Sequence, residues 1–390
     1  MEPDGRQTNK MKVLVLYEYP PNPSGLATQG DLLYRGLKEL GVDVFPAHYQ
    51  SKTEKEWYFQ WFHPDVVVGV GYWGYIPDIV LHPQACGFLA VPWLVADGYV
   101  ANYRDTLDRL PLILLTSEWV KQVYIRDGIH GDRMEVLPVG CDTDAFHPFP
   151  QDHPQRTAVR KAFQIEDGEL MILTVGGDAA SKGAQEVMQG LAKIDGETPP
   201  WKYVCKVWPQ LRTARQNWLD LELATQLGIE GRVIYTTDIV SRNYMPAIFN
   251  ACDIYAAPSR LEGFGMPQIE AGACGKPVVS IAAMAMLDTL IHGKTAYLAR
   301  VAHENKIAEA VLGPESGYPE GHRMLFDTPR VADYRADVDD ISRFLKILLN
   351  DPSACQKMGE EGRRRAVEVY DYRVIARQFI DLILRYFGIQ

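Results

Sequence analysis

No stretch of the 390-residue sequence approaches the roughly 18–20 consecutive apolar residues of a membrane span, so a bitopic or polytopic protein is excluded. The opening segment, Met1 to Lys12, lacks the apolar core of a secretory signal and reads as a polar tail. A basic excess is lacking too. Forty lysines and arginines face fifty aspartates and glutamates, a net charge of −10 that disfavours nucleic acid as the main partner. Cysteine is sparse and scattered (Cys86, Cys141, Cys205, Cys252, Cys274, Cys355), with no C-x-x-C pair. Neither a zinc cluster nor a thioredoxin-like centre follows, and reduced thiols in a cytoplasmic protein are expected. The nine histidines form no H-E-x-x-H, so no metal is expected. No residue type dominates either, and 47% hydrophobic with 23% charged residues is globular usage. The length is too great for one ordinary core and suggests two or three domains.

What is present is alternation. Lys12–Tyr17 is a short apolar run followed by a Pro/Gly/Ser loop over 20–25, the pattern of a buried parallel strand. A helix is expected over Thr28–Leu40, closed by Gly41. Further strands are expected at Val42–Phe45, Asp65–Val70, Phe88–Leu94, Leu112–Thr116 and Glu135–Val139. Pro138 to Pro154 breaks the rhythm and reads as a linker. The pattern then restarts with strands at Leu170–Val175, Tyr203–Val207, Arg232–Tyr235, Ile254–Ala257 and Val278–Ile281, and ends in helices from Val338 onward. Such βα repetition predicts an α/β protein with two parallel sheets. The expected division is residues 1–150, 151–370, and a final helix over 371–390 crossing back to the first domain.

Ligands of open parallel sheets sit at strand carboxyl ends, where loops enter helix N-termini. The most informative loop is Pro258-Ser-Arg-Leu-Glu-Gly-Phe-Gly-Met-Pro-Gln-Ile-Glu270. Glu262 and Glu270 are separated by seven residues, Gly263 and Gly265 permit a tight turn, and Pro267 suits the first turn of a helix. A helix N-terminus favours phosphate, and carboxylates accept hydrogen bonds from sugar hydroxyls. The same residues also suit an ordinary βα loop with a solvated Glu262 and a capping Glu270, and local sequence leaves both readings open.

This segment resembles the E-x7-E motif of GT-B glycosyltransferases, in particular the retaining family 4, or "group 1". Tyr19-Pro-Pro with Gly25 resembles that family's N-terminal glycine loop. Leu137-Pro-Val-Gly-Cys-Asp-Thr-Asp-Ala-Phe-His-Pro148 is similar to its interdomain signature, and Thr174-Val-Gly-Gly with Ser181-Lys-Gly183 to the segment opening its second domain. Asp253-Ile-Tyr-Ala-Ala-Pro-Ser259 and His292-Gly-Lys-Thr295 match in place and order. The likeness implies two facing Rossmann-like domains around one donor cleft. It further implies metal-independent, retaining, front-face transfer of a hexosyl group from a nucleoside diphosphate sugar, with UDP the expected nucleotide, to a hydroxyl acceptor.

Carried over by position, Glu270 resembles the ribose-binding residue and Glu262 the contact to donor-sugar hydroxyls. Phe264, Gly265 and Met266 would present backbone N–H groups along the sugar and diphosphate. Lys182 would neutralise the leaving diphosphate, Gly25 would close on it from the other domain, and Ile239 would meet the base. Two departures stand out. Gly177 occupies the place of an expected arginine, and Lys206, at the next strand's end, is the candidate replacement or else a surface lysine. Asp97 stands where relatives carry a histidine near the anomeric carbon, with a turn role as the alternative.

Other patterns are weaker. Gly69-Val-Gly-Tyr-Trp-Gly74 spells the dinucleotide fingerprint, but Tyr75 and Pro77 follow where a regular helix should open. It leaves a nicotinamide-dependent oxidoreductase as the alternative from another class, with an epimerase or phosphorylase on the same fold as a third. Asp142-Thr-Asp144 spells D-x-D inside the linker, where a turn role is expected. Aromatics are dense between Trp57 and Tyr99, mostly as core, with some suited to stacking on acceptor sugar rings. Residues 1–150 hold 12 lysines and arginines against 19 aspartates and glutamates, a net charge of −7. An acidic acceptor domain disfavours anionic lipid and favours a saccharide or other small hydroxyl acceptor, with peripheral membrane contact left open.

Overall fold

Short apolar runs separated by amphipathic helices assemble into two six-stranded parallel sheets in the computed structural model, which describes residues 10–96, 98–209 and 211–389. The first sheet comprises β1 (Lys12–Tyr17), β2 (Asp43–His48), β3 (Val66–Tyr72), β4 (Ala90–Val95), β5 (Ile113–Leu115) and β6 (Met134–Val136), in the order β2-β1-β3-β4-β5-β6. The second comprises β7 (Leu170–Val175), β8 (Trp201–Lys206), β9 (Val233–Thr236), β10 (Ile254–Ala256), β11 (Val278–Ile281) and β12 (Ala296–Ala299), in the order β12-β11-β10-β7-β8-β9. β1 shows why its run is unbroken. Val13, Val15 and Tyr17 pack into one buried cluster and Leu14 and Leu16 into another, because both faces of the sheet are covered.

Helix α1 (Gly25–Glu39) begins three residues before the expected Thr28. Ser24 supplies the cap, its Oγ accepting the Ala27 N–H at 3.0 Å, and residues 25–27 carry no amphipathic signal of their own. The first turn of α1 therefore starts at the carboxyl end of β1. In the second half of the chain, α2 (Ala184–Lys193) follows β7 and α3 (Met266–Ala273) follows β10.

The segment expected to be a linker is pinned at both ends of the chain. Cys141 N–H donates to the Tyr370 carbonyl at 2.6 Å, and Tyr372 N–H donates to the Cys141 carbonyl at 3.0 Å. The D-x-D carboxylates serve this junction: Asp142 pairs with Arg35 at 2.8 Å and Asp144 with Arg373 at 2.9 Å. Three closing helices follow, α4 (Val338–Asn350), α5 (Pro352–Val369) and α6 (Tyr372–Phe387). α6 lies against α1 in the first domain, with the Tyr372 hydroxyl donating to Glu39 at 2.6 Å.

One element has no counterpart in the sequence reading. β13 (Val301–Leu312) and β14 (His322–Ala336) form a long antiparallel hairpin. It leaves the second sheet after β12, yet Ala310 and Leu312 are buried in the first domain's hydrophobic cluster. Its tip is held there, since Asn102 donates to the Ser316 carbonyl at 2.9 Å and the Tyr318 hydroxyl to the Ala101 carbonyl at 3.0 Å. Among the described residues no helix is long and apolar enough to cross a membrane.

Candidate active site

The loop between β10 and α3 lies opposite the carboxyl ends of the first sheet. Gly265 caps α3 at φ +89°, a left-handed conformation that a side chain would strain, and Pro267 occupies the first turn as expected. A Cβ placed on Gly25, the first residue of α1, would stand 4.0 Å from Met266 Sδ. The N-termini of α1 and α3, one from each domain, therefore approach one another. Both present positive dipole ends, the arrangement that favours an anion.

Glu262 is held by two contacts. Its Oε1 accepts the Gly265 N–H at 3.2 Å and its Oε2 accepts Lys182 Nζ at 2.6 Å. Lys182, in the turn before α2, runs along the Gly176 backbone, where a Cβ would meet Lys182 Cγ at 2.6 Å. The cation and the carboxylate inferred from 80 residues apart in sequence are thus in direct contact. Gly177 lies beside them, its carbonyl accepting the Trp208 N–H at 3.0 Å.

Lys206 ends β8, with its carbonyl accepting the Gly176 N–H at 3.1 Å. Its residue is only 5% exposed, and among the described residues its ammonium has neither a hydrogen bond nor an ion pair. Burial pushes its pKa down, opposed by the more distant Asp238 carboxylate. This is not the solvated surface lysine of the alternative reading. A lysine largely withdrawn from solvent at a strand's carboxyl end is suited to meeting a ligand's negative charge.

Glu270, one turn into α3, is 4% exposed. Burial raises its pKa, and the Arg242 guanidinium, whose Nη2 donates to Oε1 at 2.5 Å, opposes that rise. Sequence reasoning missed Arg242. It lies in the loop after β9 with its guanidinium over the Phe146 ring, 4.8 Å from the centroid, and no local motif marks it. Ile239, in the same loop, is 66% exposed.

The close approach at Gly263 is to the opposite domain. A Cβ there would lie 2.4 Å from Val95 Cγ2, and its carbonyl accepts the hydroxyls of Ser117 at 2.9 Å and Thr116 at 3.2 Å. Phe264 is buried with its ring 5.8 Å from Tyr370. Asp97 lies outside the described residues. The dinucleotide-like glycines serve local packing, because β3 runs into a single turn at Trp73–Tyr75, and side chains on Gly71 and Gly74 would strike Tyr75 and Tyr72. Among the described residues no group of three His, Cys, Asp or Glu side chains could hold a metal.

The family model for "Glycosyl transferases group 1" matches residues 155–324. An MMP alpha-(1->4)-mannosyltransferase of Mycolicibacterium hassiacum is 25% identical over 285 residues, 73% of this chain and 56% of that protein. A D-inositol 3-phosphate glycosyltransferase of Xylanimonas cellulosilytica is 32% identical over 172 residues, 44% of this chain and 40% of that one. The chain thus spans about half the length of these curated relatives or less. Among solved structures, Anabaena Alr3699/HepE in complex with UDP and glucose superposes with a TM-score of 0.71 at 15% identity, covering 96% of this chain and all of the other. A glycosyltransferase from Rickettsia africae ESF-5 gives 0.73 at 13% identity, covering 97% and 99%. The fold is GT-B.

Proposed function

We propose that this chain, whose C-terminal domain belongs to the group 1 glycosyl transferases, moves a hexosyl group from a UDP-linked donor to a hydroxyl acceptor with retention at the anomeric carbon. The observation that supports the reading is the approach of the α1 and α3 N-termini across the domain boundary, with Lys182 on Glu262 beside Gly265. A nucleoside diphosphate needs that combination of charges. The relatives' names denote sugar transfer, and the Anabaena structures are complexes with UDP, UDP-glucose, or UDP and glucose.

Glu270 accepts from the ribose hydroxyls and Glu262 from the sugar. The diphosphate lies between the two helix ends and takes Lys182 and Lys206 as counter-charges. As the anomeric C–O bond to the phosphate lengthens, charge grows on the leaving oxygen and these groups stabilise it. The acceptor oxygen attacks from the same face, and its proton passes to the departing phosphate oxygen, so bond making and breaking balance without a covalent enzyme intermediate. The protein's part is to position both substrates and neutralise the leaving group, and no metal step is invoked.

Thermal shift with UDP and with NAD, followed by NMR product analysis with UDP- and GDP-hexoses, tests the reading. UDP should raise the melting temperature by mass action, NAD should not, and an α-linked donor should yield an α-linked product. Stabilisation by NAD alone, or an inverted product, overturns it.

A further inference from the structure

The β13–β14 hairpin gives the first domain a second wall. Its base is seated beside the donor loop, with Tyr334 N–H donating to the Arg260 carbonyl at 2.7 Å. Farther out it passes Gly98, whose Cβ would stand 3.2 Å from the Val331 carbonyl and 3.7 Å from Leu261. Beyond that point the hairpin and the 101–109 segment flank an open depression of about 790 Å³. The Phe326 ring meets Tyr99 edge-on at 5.2 Å on this path.

The cavity's lining is unlike the rest of its domain. Arg104, Arg109, Arg126 and Arg330 all contribute, against Asp105, Asp127 and Asp327. Three of the twelve cations in the acidic residues 1–150 are thus gathered at one place. Asp127 is nearly inaccessible and shared: Arg126 reaches it at 3.0 Å, Arg330 at 2.9 Å, and the Val100 N–H donates to it at 2.7 Å. Two guanidinium groups therefore meet one carboxylate. Among the described residues Arg330 Nε is buried without a hydrogen-bond partner. Arg104 and Arg109 bond only backbone carbonyls, of Val100 at 3.1 Å and Asp105 at 2.9 Å, with no ion pair among the described residues. A buried donor lacking an acceptor is costly, and planar guanidinium forks match the oxygens of a phosphate or carboxylate.

We propose that this two-walled pocket holds an anionic group, a phosphate or carboxylate, carried by the acceptor. The proposal rests on the donor site assigned above: the hairpin that bounds the pocket is seated at its base on the donor loop, through Tyr334 and Arg260. The hairpin then acts as a specificity element, selecting charged acceptors over neutral ones.

The test is calorimetric, on the full chain saturated with UDP. Inorganic phosphate should bind once per chain and at least tenfold more weakly to the Arg104→Gln/Arg109→Gln variant, with UDP affinity unchanged. Both residues are exposed, so the fold should tolerate the change. Glucose 6-phosphate should bind at least tenfold tighter than glucose and should compete with phosphate. An absence of phosphate binding, or equal affinity in the variant, overturns the pocket. Phosphate that accelerates UDP-glucose hydrolysis without competing with glucose 6-phosphate would make it an effector site and overturn the acceptor assignment. Failure of UDP itself to bind overturns the donor reading instead, and phosphate titrated alone then still judges the pocket.

Discussion

Arg242 donates to Glu270 at 2.5 Å, placing a half-exposed guanidinium on a carboxylate buried to 4% exposure. Glu270 has a folded pKa raised by burial, so its ionisation costs stability as pH rises above its unfolded value. Arg242 offsets that cost, and it acts in the same sense on Asp31, whose carboxyl is also raised by burial. Arg242→Ala should therefore destabilise by about 1–2 kcal/mol at pH 8, discounted for the arginine's exposure, and by less at pH 5. Melting curves of both proteins at the two pH values check this, and a pH-independent difference would sink it. UDP affinity should fall with Arg242→Ala and partly return with Arg242→Lys.

Lys206 makes an opposite trade. A buried lysine with a lowered folded pKa costs stability below that pKa, and the cost fades as pH rises toward the unfolded value. Lys206→Met should raise the melting temperature at pH 7, while weakening UDP binding at least tenfold, about 1.4 kcal/mol. A less stable variant with unaltered UDP affinity would show that the ammonium serves the fold.

The Lys182–Glu262 pair predicts strong coupling. Lys182→Ala and Glu262→Ala should each lower kcat/KM by roughly 100-fold or more while far-UV circular dichroism stays unchanged. The double variant should lose much less than the product of the two, because each residue orients the other at 2.6 Å. Full turnover by either single variant at saturating donor would remove that residue from the site.

Gly263 is predicted to set the distance between the domains. Gly263→Ala would drive a methyl group into Val95 Cγ2 and displace the bonds from Thr116 and Ser117. Overpacking of this kind costs about 1–3 kcal/mol, and kcat/KM should fall because the acceptor face moves away from the donor loop. Val95→Ala in the same chain should restore part of both. If the double variant is no better than Gly263→Ala alone, the contact is not the cause.

Most strand positions were legible because a strand buried on both faces must be a continuous apolar run, as at β1 and β3. The donor loop was legible because a turn between a strand and a helix N-terminus demands particular residues locally: Gly265 at positive φ and Pro267 in the first turn. Arg242 was not, since a lone arginine in a loop has no periodicity and its meaning lies in Glu270, 28 residues away. Nor was the β13–β14 hairpin, few of whose residues are fully buried and which carries no clean alternation of apolar and polar.

Neighbouring residues already carry the two parallel sheets and the glycine and proline punctuation of the loop over 258–270. These are local properties, written in burial patterns and backbone conformation. Which charges meet rests on tertiary contacts alone: Lys182 reaches Glu262, Lys206 is buried with no hydrogen bond or ion pair among the described residues, Gly263 touches the other domain, and a hairpin from the second domain walls a pocket on the first. Those facts depend on contacts between distant segments, whose energies are set by desolvation and distance in three dimensions and leave no mark on neighbouring residues.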